Sequence, residues 1–456
     1  MRRARLPADC RHEHAAQDLF VLTLRSPHRG HRPLDAPPGA RRDIRRARAG
    51  ARRGAGRRSR VGARQPARAC PCCRGCTGAR SLEVQPRGIR GTNAARIPVA
   101  RERLVSRDAQ HARAGRPRGR EELEAAVKTL VTGVTGFTGG HLARYLKYRG
   151  AEVRALVRPQ SAGRPVVQEL RAAGIDIAEA DLSDPLTVGQ ACDGAEVVYH
   201  VAAAYREAGQ PPWAYREVNV GGTLNIIHSA RKRGVRRVVY CSTGGVHGHV
   251  AKPPGNERSP FNPGDVYQQT KLEAEEEARR AGQRGDLEVV VTRPIGIYGP
   301  GDTRFLKMFR GIARGRFPIL GTGDVFYHLT YIDDLVEGFR LCGELPQAAG
   351  QTYILAGPRY TTLNELTRLI ADELKVKPPR LRLPVWPFWL AGAVCELVCV
   401  PLRVEPPLYR RRVDFYTKSR AFDITHARTE LGYEPKVDLP EGIRRTIAWY
   451  RAQGML

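Results

Sequence analysis

The sequence predicts an α/β protein: a doubly wound parallel sheet, a smaller and partly interleaved C-terminal substrate lobe, and a disordered Arg-rich N-terminal arm. Three observations predict it. From residue 127 onward, short apolar runs alternate with stretches of helical spacing, the pattern of βα units with helices on both faces of a sheet. A glycine-rich turn joins the first run to the first helical stretch. Residues 1–126 lack apolar periodicity, and Phe20 is their only Phe, Tyr or Trp. Such a segment cannot bury enough surface to offset its ordering entropy.

The arm carries most of the charge. The chain has 76 Lys+Arg against 46 Asp+Glu, a formal +30. Residues 1–120 hold 31 Arg, no Lys and 8 acidic residues, a net +23 that leaves +7 for the remaining 336. The folded part is therefore only mildly basic, and composition does not make it a nucleic-acid binder. The arm reads either as a basic tail for nucleic acid or anionic lipid, or as an overlong translation of GC-rich upstream sequence. Arg without Lys, and no aromatic rings to stack on bases, favour the second, with Val127 as the expected start. Arg2, Arg3 and Arg5 precede no long apolar core, so no secretory signal is expected. Cys70, Cys72, Cys73 and Cys76 have no distant second pair or His partner, so no metal site is expected. No apolar run reaches the roughly 18 residues of a membrane span. The five scattered Cys after residue 127 read as thiols of a reducing, cytoplasmic compartment.

The elements follow in order. Thr129–Thr132, Val153–Val157, Ile175–Ala180, Val197–Val201, Val235–Ser242 and Leu287–Thr292 read as short buried strands. His141–Arg149, Tyr215–Arg233 and Tyr267–Ala281 have helical spacing. Past about residue 296 the alternation loosens into Pro-rich segments and separate helices. The expected division is 1–126 for the arm, 127–295 for a nucleotide-binding domain and 296–456 mainly for the substrate lobe.

The first turn is Gly133-Val134-Thr135-Gly136-Phe137-Thr138-Gly139. Glycines there permit a tight turn and close backbone approach, and the helix that follows offers free N–H groups to a pyrophosphate. This points to a dinucleotide, NAD(P). At the end of the second strand, where an acid usually holds the NAD ribose, the residue is Arg158. A guanidinium suits a 2′-phosphate and favours NADP over NAD. Asp181 and Leu182 follow the third strand, placed to accept from an adenine amino group and to pack on its ring. Ala202 and Ala203 follow the fourth, where small residues let backbone approach the cofactor.

Tyr267-Gln268-Gln269-Thr270-Lys271 opens a helix, and i,i+4 spacing puts phenol and ammonium on one face. The cation favours the phenolate, which makes Tyr267 a candidate proton carrier. Upstream, Ser242 and Thr243 supply hydroxyls at the carboxyl edge of the sheet, placed to bond a substrate oxygen as its charge changes.

Together these motifs resemble the extended short-chain dehydrogenase/reductase superfamily, within its NAD-dependent epimerase/dehydratase group. The resemblance covers residues 127–450. It rests on the glycine turn, Asp181-Leu182, Tyr199-His200-Val201-Ala202-Ala203, Asn219-Val220-Gly221-Gly222-Thr223, Ser242-Thr243, Tyr267-x-x-x-Lys271 and Arg293-Pro294-x-x-x-Tyr298-Gly299-Pro300-Gly301-Asp302. It implies a Rossmann-type fold, with Tyr267 as general acid/base and Thr243 as the Ser/Thr partner. It implies that Lys271 binds the nicotinamide ribose, that Pro294 faces the nicotinamide and that Asn219 lies under the cofactor. His247 stands where the family usually has Tyr, and a buried packing role is expected for it. A homodimer through the helices around 215–233 and 267–281 is also implied.

Two departures narrow the reaction. Sugar 4,6-dehydratases carry an Asp-Glu pair after the catalytic Thr, whereas Gly244-Gly245 follow here. Nucleotide-sugar enzymes often place a diphosphate-gripping Arg where this chain has Tyr327, leaving Arg304, Arg310 or Arg316 as substitutes. The apolar stretch from Pro384 through Trp386 and Trp389 to Val400, flanked by Arg382 and Arg403, resembles the 3β-hydroxysteroid and sterol dehydrogenase branch. It reads as an interfacial segment or greasy substrate entry, or as a core helix or dimer contact. Cys395 and Cys399 within it read as packing residues. The expected function is NAD(P)-dependent hydride transfer on a secondary alcohol, sterol- or terpenoid-like or sugar-derived. The alternatives are a nucleotide-sugar epimerase and a non-catalytic dinucleotide-sensing or RNA-binding protein, the last opposed by the intact Tyr267, Lys271 and Thr243.

Overall fold

The computed structural model describes residues 127–205, 210–399, 408 and 410–456. The N-terminal arm with its four clustered cysteines, and Val400 and Arg403, lie outside the described residues. Six of the strands form where apolar runs occur: β1 (Lys128–Thr132), β2 (Glu152–Val157), β3 (Asp176–Glu179), β4 (Val197–His200), β5 (Arg237–Cys241) and β6 (Glu288–Pro294). A seventh strand, Thr352–Leu355, comes from beyond residue 296 and pairs with β6. The order is Thr352–Leu355, β6, β5, β4, β1, β2, β3, all parallel. The chain therefore returns from the lobe to complete the sheet.

Every residue of β4 and β5 is buried, as expected of central strands covered on both faces. On one face Val131 and Leu142 pack with Leu335 and Phe339. On the other, Leu130 and Val238 pack with Ile226 and Ala274. The strand order reverses between β1 and β4, which opens a crevice at their carboxyl ends.

Two helices differ from expectation. The first, α1 (Phe137–Tyr148), starts inside the glycine turn with Gly136 as its N-cap rather than at His141. Gly139 and Gly140 let its first turn sit directly on the loop: a Cβ on Gly139 would lie 2.3 Å from the Gly133 carbonyl oxygen. The stretch expected as one helix over 215–233 is α-helical at Pro212–Arg216, widens to a π-turn at Glu217–Gly221 and resumes at Gly222–Lys232. The π-turn carries the buried Asn219.

Short strand pairs build the lobe, among them Phe326–His328 against Tyr360–Thr362. The apolar helix Val385–Cys399 is no core helix. Gly392 is its only buried residue among those described, and Trp386 and Leu397 are 68% and 75% exposed. Among the described residues no helix is long and apolar enough to cross a membrane.

Candidate active site

A single cavity of about 960 Å³ runs along the carboxyl edge of the sheet. At one end lies the glycine turn. Gly133 has φ +74°, and a Cβ there would come within 2.8 Å of the Ala202 backbone. Only glycine fits, so β1 and the loop after β4 close against each other. Gly136 has room: its Cβ would meet only the Gly133 oxygen, at 3.4 Å. Thr135, Phe137, Thr138, Ala202 and Ala203 line the same wall. This bare backbone at the amino end of α1 is a cradle of the kind a dinucleotide pyrophosphate fits.

Arg158, Asp181 and Leu182 line the far part of that wall. Arg158 is exposed. The Asp181 carboxylate accepts from the Ser183 amide (2.9 Å) and hydroxyl (2.7 Å). Those bonds, more than the Arg158 charge, hold it below the usual carboxylate range.

Tyr267, Thr243, Ser242 and Pro294 line the middle. Tyr267 is half-buried at the start of helix Val266–Gly282, its ring edge-on to Tyr205 at 4.9 Å. The two hydroxyls differ. Ser242 Oγ donates to the buried Glu275 carboxylate at 2.6 Å, so its proton is engaged away from the cavity. Thr243 Oγ1 accepts from the Gly245 amide at 3.1 Å, which leaves its O–H to donate.

Lys271 and Asn219 are not on the cavity wall. Lys271 is fully buried, its ammonium 4.3 Å from the Tyr240 ring centre; burial lowers its pKa to about 8. Asn219 braces the site from below. Its Oδ1 accepts from the Ala204 amide (2.7 Å), and its Nδ2 donates to Thr270 Oγ1 (2.9 Å), which donates to the Tyr267 carbonyl (3.0 Å).

The NAD dependent epimerase/dehydratase family model matches residues 129–356. The chain belongs to that family. It is 32% identical over 347 residues to the 3beta-hydroxysteroid-dehydrogenase/decarboxylase isoform 2 of Arabidopsis thaliana, covering 70% of this chain and 61% of that one. It is 31% identical to the 2-alkyl-3-oxoalkanoate reductase of Stenotrophomonas maltophilia, covering 71% and 99%. Sterol demethylase protein B of Methylococcus capsulatus is also 31% identical, over 72% and 99%. Among solved structures, that of gox2253 superposes with a TM-score of 0.62 at 30% identity over 72% and 99%. The UDP-glucose 4-epimerase of Thermotoga maritima, at 23% identity and TM-score 0.58, shares the fold.

Within this epimerase/dehydratase framework, several residues to which the sequence assigned no part in the chemistry hold the site together. Thr132 Oγ1 accepts from the amides of Val201 (3.1 Å) and Ala202 (3.0 Å) and meets His200 Nδ1 at 2.9 Å. Nε2 of His200 reaches Thr223 Oγ1 at 3.1 Å, and that hydroxyl donates to the Asn219 carbonyl. Burial, reinforced by the Lys271 charge, pushes His200 down to about 3, so it stays neutral. Glu275 accepts from Arg293 Nη2 at 2.5 Å and Nε at 3.2 Å. Arg293 Nη1 also donates to His247 Nε2 at 3.1 Å. His247 is thus a buried acceptor, kept neutral by burial and by the neighbouring guanidinium. The only sequence signal for Glu275 was its place one turn beyond Lys271 on a helix that is apolar on that face.

A Cβ on Gly244 would stand 1.8 Å from Ile295 Cδ1, the end of a side chain that would have to turn aside to admit a larger residue beside Thr243. Of the three arginines offered as diphosphate partners, only Arg304 lines the cavity. It is held by Asp302 Oδ1 (2.6 Å) and the Ile297 carbonyl (2.8 Å).

Proposed function

We propose that the chain is an NADP-preferring dehydrogenase/reductase that interconverts a secondary alcohol and a ketone on an apolar, sterol-like or acyl-like skeleton. One observation carries this reading: the glycine cradle, Tyr267 and Thr243 share one cavity wall. A nicotinamide dinucleotide in that cradle supplies the capacity to accept or donate hydride. Tyr267 exchanges the hydroxyl proton, with the buried Lys271 charge one helical turn further along favouring the phenolate. Thr243, its lone pair occupied by Gly245, donates to the substrate oxygen. Ser242 acts as an anchor through Glu275.

The relatives named for hydroxysteroids, a sterol and an oxoalkanoate support an apolar substrate, as do Leu329, Phe415 and Phe422 on the cavity wall. Gly244 and Gly245 after Thr243 leave no acid there for elimination, which opposes dehydration. Tyr327 in place of an arginine opposes a nucleotide sugar, because a phenol cannot pair bidentately with phosphate. Arg158 carries the preference for NADP. We place the exposed helix Val385–Cys399 against a lipid surface, as an entry for such a substrate. A homodimer and a cytoplasmic site of action rest on the family resemblance and on thiols that are free throughout the described residues.

The test uses the full chain. NADPH and NADH binding is followed by fluorescence, and oxidation of a 3β-hydroxysteroid to its ketone by the formation of NADPH from NADP⁺. Tyr267→Phe is expected to lower kcat by roughly 10²-fold or more while dinucleotide affinity stays within about threefold. Absence of dinucleotide binding would remove the enzyme reading; tighter binding of NADH than NADPH would remove the role given to Arg158.

A further inference from the structure

His200 is a fully buried titratable side chain that the mechanism above leaves unused. It ends β4, and each of its ring nitrogens meets a threonine hydroxyl. The bonds around it decide where its proton sits. A threonine oxygen has two lone pairs and one hydrogen. Both lone pairs of Thr132 Oγ1 are taken, by the Val201 amide at 3.1 Å and the Ala202 amide at 3.0 Å. Its O–H therefore donates to His200 Nδ1, 2.9 Å away. Nδ1 is thus bare, and a neutral imidazole then carries its hydrogen on Nε2. That N–H donates to Thr223 Oγ1 at 3.1 Å, and the Thr223 hydroxyl donates on to the Asn219 carbonyl at 2.6 Å. A second ring proton would set Nδ1–H against a saturated oxygen. Burial, and after it the Lys271 charge, disfavours that proton as well.

The chain of bonds joins the two halves of the site. At one end Thr132 holds Val201 and Ala202, which line the wall beside the glycine cradle. At the other, Thr223 grips the π-turn through the Asn219 carbonyl. The Asn219 side chain bonds the Ala204 amide and Thr270, and Thr270 donates to the Tyr267 carbonyl. Tyr267 is the second residue of its helix, and Lys271 lies one turn further on. Helix ends fray, and a frayed first turn would carry the phenol away from the ammonium.

We infer that His200, as its Nε2–H tautomer, is a positioning residue that ties the cofactor wall to the π-turn and so holds Tyr267 at its distance from Lys271. The inference rests on Tyr267 being the proton carrier. The post needs a neutral group that accepts on one side and donates on the other. The amide of Gln has both functions, and a phenyl ring has neither.

The first arm of the experiment is nitrogen-15 NMR of the histidines in the full chain, with the His200 signals identified by their loss in His200→Gln. A neutral Nε2–H ring that does not titrate between about pH 5 and 8 is expected. A proton on Nδ1, or titration near about pH 6.5, overturns the inference. The second arm follows oxidation of the 3β-hydroxysteroid by NADP⁺ against pH. His200→Phe and Thr223→Val break the chain at successive links, and the second keeps the imidazole should the first not fold. Each is expected to lower kcat roughly tenfold or more with NADPH affinity within about threefold. Each is also expected to raise the apparent pKa of the kcat–pH profile by about 1, as Tyr267 loses part of the Lys271 charge. His200→Gln is expected to keep the wild-type profile and most of kcat. A role in folding alone would lower the melting temperature and leave the profile where it stands, so an unmoved profile in both broken-chain variants overturns the inference. Tyr267→Phe is run alongside: if it turns over like the wild type, the proton carrier itself has been misassigned.

Discussion

At the scale of single residues, Lys271 is a charge with no water. Its pKa is lowered to about 8 by burial, against roughly 10.4 in an unfolded chain. Between those values the unfolded state binds more protons than the folded one, so stability rises with pH through that window. Below about 8 the full cost of the buried charge is present. Lys271→Met removes it. The variant is expected to unfold at higher urea than the wild type at pH 7, and the gap is expected to narrow from pH 8 to 10. A gap that is constant with pH would show that the ammonium is not titrating in the fold. On the proposed reading of the site, the same variant is expected to lose activity at every pH, because Tyr267 then lacks the neighbouring cation that would favour its phenolate. His247 makes a second point at this scale. The sequence suggests only a buried packing role for it, yet the ring accepts a bond from Arg293, which clamps Glu275 and thereby Ser242.

At the scale of elements, the glycine turn separates two roles that the spacing alone merges. Gly139 is needed by the fold: its Cβ would collide with the Gly133 oxygen at 2.3 Å. Gly136 is not so confined. Gly139→Ala is therefore expected to lower stability by about 1–3 kcal/mol and weaken NADPH binding together. Gly136→Ala is expected to leave the melting temperature nearly unchanged and weaken NADPH binding alone. Thermal unfolding with and without NADPH distinguishes the two. The turn and the six strands were legible because buried parallel strands are continuous apolar runs. The seventh was not: Thr352–Leu355 lies past residue 296, where the regular βα alternation that marks the other six gives way to separate helices, and a short apolar run without that context cannot be told from a helix segment. The π-turn at Glu217–Gly221 was hidden for another reason. A single π-turn inside an α-helical stretch has no composition signal of its own, and here it aims Asn219 at Ala204 and Thr270.

At the scale of the whole molecule, the candidate site was legible where chemistry recurs in a fixed order along the chain, and illegible where distant segments meet. Thr243, Tyr267 and the glycine turn belong to the first kind. Tyr327 and Arg420, which share the cavity wall, belong to the second: they are 93 residues apart and are brought together by a backbone bridge. The exposed helix Val385–Cys399 is a property of the molecule's outer surface. It spans about 22 Å at 1.5 Å per residue, and Arg410 lies over Trp389 at 5.8 Å while pairing with Glu396 at 2.7 Å. The wild type is expected to float with neutral phosphatidylcholine vesicles, where the +23 of residues 1–120 contributes little. Leu390→Ser with Leu397→Ser is expected to reduce the floated fraction at least fivefold, since each removes about 1–2 kcal/mol of apolar transfer. Equal flotation of both would detach this helix from any role at a lipid surface.

The empty Cβ direction of Gly244 points at the tip of Ile295, 1.8 Å away, while Ile295 Cγ1 stands at 3.3 Å and the Pro294 oxygen at 3.5 Å. A side chain at 244 therefore needs Ile295 to turn aside and little else to move. The two positions are energetically coupled, so substitutions at 244 and 295 are expected to be non-additive.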